Sequence, residues 1–212
     1  FVPETVFAVV LQLALGCRIS ELLSLRWGHI REAEGYVLIV NSKRRQLKGR
    51  MWRAVPLLDS LRPWLVLLRA SRGGNPDPRE LVIRTRPEGY VFPRGQHADA
   101  VGSHAAQNTI VEKIARVLRR AGLKIPGKAS HAMRSTFFTL AAASGKISKE
   151  LLKGYMGHAV IFEGSSDEYL AKLITAITPE HRTAIALPHP KDVRASLATF
   201  VVAPGWKKLR PK

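Results

Sequence analysis

Two β-rich runs separated by a short basic stretch constrain the fold of this chain more than any other feature of its sequence. Residues 36–42 (YVLIVNS) and 51–57 (MWRAVPL) are rich in β-branched and aromatic side chains, whereas residues 43–50 (KRRQLKGR) between them are basic and include a glycine. Strand-forming runs joined by a short polar segment are typical of a β-hairpin. We therefore predict a β-hairpin with a charged tip.

Helical patterns lie on both sides of this hairpin. Apolar residues recur at helical spacing over residues 4–15, and Gly16 then ends the helix. Ser20 is a suitable N-cap for a second helix over residues 21–27, which places Arg18 at a tight junction between two helices. Further helices are predicted over residues 59–70, 107–123, 131–144, 148–156 and 167–174.

Other segments give weaker patterns. Residues 81–83 predict a third short strand, and residues 84–106, rich in Gly, Pro and His, predict a loop. Beyond Pro179, further prolines interrupt any periodic pattern. The tail is therefore left without a predicted element.

The charge of the chain indicates a polyanionic partner. Lysine and arginine total 34 against 16 aspartate and glutamate residues, which gives a formal net charge of +18. This excess is larger than solubility requires, and the basic residues are spread along the chain rather than gathered in one tail. A ribosome-associated protein or a solvated basic face would show the same charge, so charge alone does not identify the partner.

Several classes of protein are disfavoured by the composition. Cys17 is the only cysteine, which excludes an intrachain disulfide and a thiolate zinc cluster and fits a reducing, intracellular setting. No stretch approaches the roughly 20 apolar residues of a membrane span. The sequence also has no acidic cluster with two-metal spacing and no glycine-rich phosphate loop. We therefore expect no metal and no other cofactor.

Five short stretches contain the arginine, lysine, histidine and tyrosine residues on which a functional hypothesis depends. They are residues 16–27 (GCRISELLSLRW), 42–43 (SK), 130–139 (SHAMRSTFFT), 157–159 (GHA) and 168–171 (EYLA). Each alone is a weak signal, because short motifs of this kind occur often by chance. In this order they resemble the active-site boxes of the tyrosine recombinases, or phage integrases, which cut and rejoin DNA.

The resemblance implies a set of phosphate ligands. Arg18 would present a planar fork of donors to the non-bridging oxygens of the scissile phosphate, and Arg134 would complete a two-arginine clamp. Glu21 would orient neighbouring groups without touching DNA. His131, three residues before Arg134 on the same side of a helix, would hydrogen-bond the phosphate or accept the tyrosine proton. His158 would be another phosphate ligand.

The nucleophile and the general acid complete the implied site. Tyr169 would attack phosphorus, with Tyr155 as the nearby competitor. Lys43 would protonate the 5′-oxygen that leaves, because residues 35–43 (GYVLIVNSK) resemble the family stretch that carries the catalytic lysine. Lys48, at the hairpin tip, is a rival for that role.

A fold and an activity follow from the resemblance. The implied fold class is α+β, mainly helical: a tyrosine-recombinase (DNA breaking-rejoining) catalytic domain with a small antiparallel β-sheet. The implied function is that of a site-specific recombinase or integrase of a mobile genetic element. It would cleave and rejoin strands through a 3′-phosphotyrosyl intermediate, with arginines and histidines neutralising the transition state in place of a metal.

The resemblance also implies an organisation around double-stranded DNA. We expect a catalytic domain over residues 1–178 and a C-terminal tail, residues 179–212, that neighbouring protomers could exchange. Because the sequence starts abruptly, an N-terminal core-binding domain is expected to be missing from this fragment. The expected assembly is a homo-tetramer on two duplexes, with accessory directionality factors left open, and the expected location is the cytoplasm, at the nucleoid when DNA is bound.

Three alternatives stay open. A type IB topoisomerase-like enzyme or a hairpin-forming resolvase shares this chemistry but joins strands differently. A non-catalytic DNA-binding protein could keep the fold with an inert Tyr169. An RNA-processing enzyme that uses histidine and lysine would also be basic, although it would not need the tyrosine.

Overall fold

The computed structural model describes residues 4–40, 52–72, 87–92, 104–120, 122, 129–158 and 164–192. Within these ranges the chain forms eight α-helices and three strands. The helices are α1 (Glu4–Leu15), α2 (Ile19–Leu23), α3 (Arg62–Arg72), α4 (His104–Arg120), α5 (Ala129–Ala143), α6 (Lys149–Tyr155), α7 (Ser166–Thr175) and α8 (Pro179–Arg182). The strands are β1 (Ile30–Arg31), β2 (Tyr36–Val40) and β3 (Trp52–Pro56).

The sheet contains the predicted hairpin. Strands β2 and β3 pair antiparallel, with Tyr36 opposite Pro56 and Val40 opposite Trp52. The short strand β1 pairs antiparallel with the other side of β2, which gives the order β1-β2-β3. Two residues are too few to produce a recognisable alternation, so β1 was not predicted. The charged tip of the hairpin and the strand predicted at residues 81–83 lie outside the described residues.

Helix α1 lies at the centre of the core, with the bounds that its periodicity predicts. Seven of its twelve residues are buried, among them Phe7, Val10 and Gln12, which lie in different directions around the helix axis. Gly16 then turns the chain with a φ of +57°, and a Cβ at residue 16 would overlap the Phe137 ring of α5. A glycine is therefore required at this position for both its conformation and its lack of a side chain.

Helix α2 begins earlier than the sequence suggests. The predicted N-cap, Ser20, lies inside the helix, and Arg18 occupies the N-cap position. The reason is a side-chain contact: the Glu21 carboxylate accepts a hydrogen bond from the Arg18 backbone N–H at 2.8 Å, as in a capping box. The helix ends at Leu23, and residues 27–29 form a 3-10 turn rather than its continuation.

Two other predicted boundaries were also wrong. The segment over residues 59–70 is a 3-10 turn, Asp59–Leu61, followed by α3. The predicted loop over residues 84–106 contains the start of α4. It also contains residues 87–92, which pair irregularly with residues 25–28: Trp27 donates its backbone N–H to Gly89, and Val91 donates to Leu25. Irregular pairing of this kind has no period in the sequence.

The first part of the tail packs on the same chain. His181, Ala184 and Ile185 are buried, and Trp64 Nε1 of α3 donates a hydrogen bond to the Pro188 carbonyl oxygen at 2.8 Å. Ser60 Oγ donates to the Ile185 carbonyl oxygen at 2.9 Å. The described tail is thus part of the packed domain, while its exchange between protomers stays a prediction.

None of the described helices is both long enough and apolar enough to cross a membrane.

We predict that Gly16→Ala lowers the free energy of unfolding by about 2–5 kcal/mol. The substitution adds left-handed backbone strain of roughly 1–2 kcal/mol and overpacking against Phe137 of about 1–3 kcal/mol. Gly145→Ala is the matched control, because Gly145 has a similar φ of +68° but a Cβ there meets no described atom within 4 Å. Urea unfolding of both variants measures the difference, and equal losses would contradict the steric role of Phe137.

Candidate active site

A buried carboxylate, that of Glu21, is the centre of the candidate site. Its Oε2 accepts a hydrogen bond from Arg53 Nη2 at 2.7 Å, and its Oε1 accepts one from Arg18 Nη1 at 2.8 Å. Arg134 Nη1 lies 3.9 Å from Oε2. Three guanidinium groups, from the start of α2, from β3 and from α5, therefore surround one carboxylate.

The charges of this cluster do not cancel. Burial by itself raises the pKa of Glu21, but the charge and hydrogen bond of Arg53, together with Arg18, outweigh burial and lower the pKa to about 2. Burial and the neighbouring Arg53 and Arg18 lower the pKa of Arg134 to about 10, which leaves it protonated at neutral pH. Three cations against one anion leave positive charge in excess, and this favours the binding of an anion such as phosphate.

Arg134 joins the two loops that carry the other candidate ligands. Its Nη1 donates to the Gly16 carbonyl oxygen at 2.6 Å, just before Arg18. Its Nη2 donates to the Met156 carbonyl oxygen, just before His158. The side chain is only 5% exposed. These two bonds fix the positions of both loops relative to α5.

The turn that carries His158 is a Schellman motif at the end of α6. The His158 backbone N–H donates to the Lys153 carbonyl oxygen at 2.9 Å, and Gly157 N–H donates to Gly154 at 2.8 Å. Gly157 has a φ of +66°, the left-handed conformation that closes such a motif. The glycine before the histidine is thus explained by the geometry that turns His158 away from the helix.

His158 is close enough to the cluster to be affected by its charge. Burial, and then the charges of Arg134 and Arg18, lower the pKa of His158 below its ordinary value. The imidazole is therefore neutral at neutral pH, with one donor and one acceptor nitrogen.

His131 is placed differently. It lies three residues before Arg134 on α5, and its side chain is exposed. Spacing by three residues puts both side chains on one side of the helix, so His131 lies at the exposed edge above the buried Arg134. Lys43 and its rival Lys48 lie outside the described residues, and β2 ends at Val40.

Tyr169 lies in the first turn of α7, and its position is determined by the cap of that helix. Ser165 is the N-cap: its Oγ accepts from Glu168 N–H at 3.3 Å, and Glu168 Oε2 accepts from Ser165 N–H at 2.8 Å. Tyr169 is only 1% exposed, and α7 packs on β3, the strand of Arg53. The competitor Tyr155 is also buried; its hydroxyl lies 3.2 Å from His181 Nδ1, and burial raises its pKa.

Arg53 was not predicted from the sequence. It belongs to the β-rich run of residues 51–57 and faces the same way as Val55, on the side where Ile39 and Val37 are also buried. A single arginine at an inward position of an otherwise apolar strand requires a buried partner. An arginine at an inward position of an apolar strand was therefore the sequence signal that could have identified Arg53.

The structure thus brings Arg18, Glu21, Arg134 and His158 together, adds Arg53, and leaves Tyr169 covered by packing. Among the described residues, no three histidine, cysteine, aspartate or glutamate side chains are grouped so that they could hold a metal ion.

Comparisons with known proteins identify both a family and a fold. The family model described as "Phage integrase family" matches residues 4–164, and Tyr169 lies beyond that range. The structure is similar to that of an integrase from mycobacterium phage Brujita, with a TM-score of 0.51 and 17% identity over 88% of this chain and 58% of that one. It is also similar to the crystal structure of XerA recombinase, with a TM-score of 0.53 and 18% identity over 99% of this chain and 60% of that one. Comparison with curated proteins gave no match.

The chain therefore spans about three-fifths of the length of these two solved proteins. At this level of identity the similarity concerns the fold. It confirms the predicted mainly helical catalytic domain with a small antiparallel sheet.

We predict that Glu21 makes stability depend on pH in the acidic range. Its pKa is about 2 in the folded chain and about 4.3 when unfolded, so its ionised form stabilises the fold above the unfolded value. That contribution, about 3 kcal/mol, is lost as pH falls from about 5 to 2. Urea unfolding measured across this pH range should show that the free energy of unfolding depends less steeply on pH for Glu21→Gln than for the unsubstituted chain. Glu112→Gln, at an exposed position on α4, is the control; if it reduces the slope equally, the prediction is wrong.

Proposed function

The chain belongs to the phage integrase family, and on that premise we propose that it is a site-specific DNA recombinase or integrase. The observation that supports this proposal most directly is the convergence of Arg18, Arg53 and Arg134 on the single carboxylate of Glu21. The excess positive charge suits a DNA phosphate, whose charge rises in a phosphoryl-transfer transition state. A net charge of +18 agrees with double-stranded DNA as the substrate.

In the proposed reaction two of these arginines and one histidine bind the phosphate, and the remaining groups move protons. Arg18, whose side chain is partly exposed, donates to the non-bridging oxygens, with Arg134 behind it. The Tyr169 oxygen attacks phosphorus and passes its proton to His131, while neutral His158 donates a hydrogen bond to the phosphate. The bond from phosphorus to the 5′-oxygen breaks, and Lys43 protonates that oxygen.

The product of this step is a 3′-phosphotyrosyl link, which keeps the energy of the broken phosphodiester bond. The 5′-hydroxyl of a partner strand then attacks the link, joins to phosphorus and releases Tyr169 by the reverse proton transfers. Because the arginines supply the positive charge, the proposed reaction needs no metal and no nucleotide.

Tyr169 must become accessible before it can react. It is 1% exposed and lies on α7, which packs on β3. We therefore propose that α7 shifts from β3 when DNA binds or when protomers assemble. A homo-tetramer on two duplexes, a core-binding domain preceding this chain and accessory directionality factors belong to the same proposal.

The same chemistry would serve a type IB topoisomerase-like enzyme or a hairpin-forming resolvase. Relaxation of supercoiled DNA in the absence of partner sites would favour the topoisomerase-like enzyme. DNA products with closed hairpin ends would favour the resolvase. A non-catalytic DNA-binding protein would bind DNA with no covalent product.

We predict that Tyr169→Phe abolishes covalent attachment to DNA and leaves DNA binding within about twofold, because only the nucleophilic oxygen is lost. Trapping on a pool of nicked duplexes, resolved on a denaturing gel with and without EDTA and followed by peptide mapping, measures attachment. Tyr155→Phe is the matched control, since it removes another buried tyrosine hydroxyl and should still form the adduct. An adduct that persists in Tyr169→Phe would show that another residue is the nucleophile.

We also predict that a sulfur leaving group distinguishes Lys43 from Lys48. A 5′-bridging phosphorothiolate expels a thiolate, which needs no protonation, so it should restore cleavage by a variant that lacks the general acid. Lys43→Ala should cleave the ordinary duplex at least about 100-fold more slowly and the sulfur duplex at the wild-type rate. Lys48→Ala should cleave both normally; the opposite pattern would assign the role to Lys48.

A further inference from the structure

We propose that Arg53 is a positioning residue of this site, through which the Glu21–Arg18 pair and the His158 turn are held in one arrangement. The inference rests on the proposed DNA cleavage. It gives a role in that reaction to a residue outside the five sequence stretches that resemble the family's active-site boxes.

Arg53 joins two segments that carry candidate phosphate ligands. Its Nη2 donates to Glu21 Oε2 at 2.7 Å, and the same carboxylate holds Arg18. Its Nε donates to the carbonyl oxygen of Tyr155 at 2.6 Å, at the end of α6. Tyr155 lies within the Schellman turn, between Lys153 and His158. The guanidinium group of Arg53 therefore links Arg18, at the start of α2, to the turn after α6 that carries His158.

The burial of Arg53 separates its role from that of Arg18. The Arg53 side chain is 0% exposed, whereas that of Arg18 is 18% exposed. A phosphate in the DNA backbone can reach Arg18 from solvent, but it cannot reach Arg53 without unpacking β3. Arg53 therefore acts on the phosphate only through its partners.

The geometry requires an arginine rather than any cation. The two acceptors lie on different segments and are met by different nitrogens of one planar group. A lysine has a single nitrogen on a flexible stem and cannot reproduce this fork. Lysine would keep the charge near Glu21 but release one of the two segments.

Arg53 also provides the largest contribution that keeps Glu21 ionised. The charged or titratable groups whose charges act on Glu21 include Arg18, Arg53, Arg134, Cys17 and, on the turn after α6, His158. Burial, and then Glu21, raise the pKa of the Cys17 thiol to about 12, so it stays neutral at working pH. Without Arg53, the pKa of Glu21 rises, and protonation in mild acid releases Arg18.

The test is the single-turnover rate of adduct formation, measured with DNA affinity on the same nicked duplexes. Arg53→Lys is expected to bind DNA within twofold of wild type and to cleave on the order of 10- to 100-fold more slowly, the size of effect that misplaced catalytic groups produce. Arg53→Met should in addition lose activity as pH falls over a range in which wild type retains it. Arg62→Met, which removes a partly exposed arginine paired with Asp59, is the control and should match wild type.

A second variant keeps the test decisive if Arg53→Met fails to fold. Glu21→Gln combined with Arg53→Met removes the two fully buried partners of the Glu21–Arg53 ion pair together, so neither is left unpaired. This double variant should fold and still cleave slowly, without the loss of activity in acid. If Arg53→Lys cleaves DNA at the wild-type rate, or loses DNA binding and cleavage equally, the positioning role of Arg53 is wrong. The proposed function would not be affected by that outcome. A wild-type chain that binds DNA and forms no adduct would instead overturn the proposed function.

Discussion

The buried carboxylate of Glu21 is the interaction on which the rest of this site depends. An ionised carboxyl group is stable away from water only where hydrogen bonds and opposite charges replace its hydration. Arg18 and Arg53 supply those bonds, and Arg134 lies 3.9 Å away. Since the three arginines come from a helix start, a strand and another helix, one carboxylate brings together segments that are distant in sequence. The positive charge that remains is available to a ligand.

The backbone around this cluster is shaped so that the arginines can reach it. Gly16 has no side chain, and this absence lets Phe137 of α5 approach α1 closely. Three residues earlier on α5, Arg134 can then donate to the Gly16 carbonyl oxygen. At the other loop, Gly157 adopts the left-handed conformation that directs His158 away from α6. Two glycines thus determine where two of the candidate ligands lie.

Local patterns in the sequence were sufficient for the hairpin, for α1 and for the approximate positions of α3 to α7, because periodicity and glycine positions are properties of neighbouring residues. They failed where a contact decides the structure. The N-cap of α2 is Arg18 rather than Ser20 because of a Glu21 side-chain bond. Arg53 escaped notice because its two partners lie 32 and 102 residues away. Motif order nominated Arg18, Arg134 and His158, but it could not show that Arg134 bonds to both neighbouring loops.

The position of Tyr169 divides the site into a part that is already assembled and a part that is not. The arginine cluster is held by hydrogen bonds in the chain as it stands, whereas Tyr169 is 1% exposed on α7. Helix α7 packs on β3, and β3 also carries Arg53. The movement of α7 proposed to expose Tyr169 would therefore change its contact with the strand that carries Arg53. The helix that carries Tyr169 and the arginine cluster around Glu21 therefore both contact the same strand, so the proposed nucleophile and phosphate ligands share one structural support.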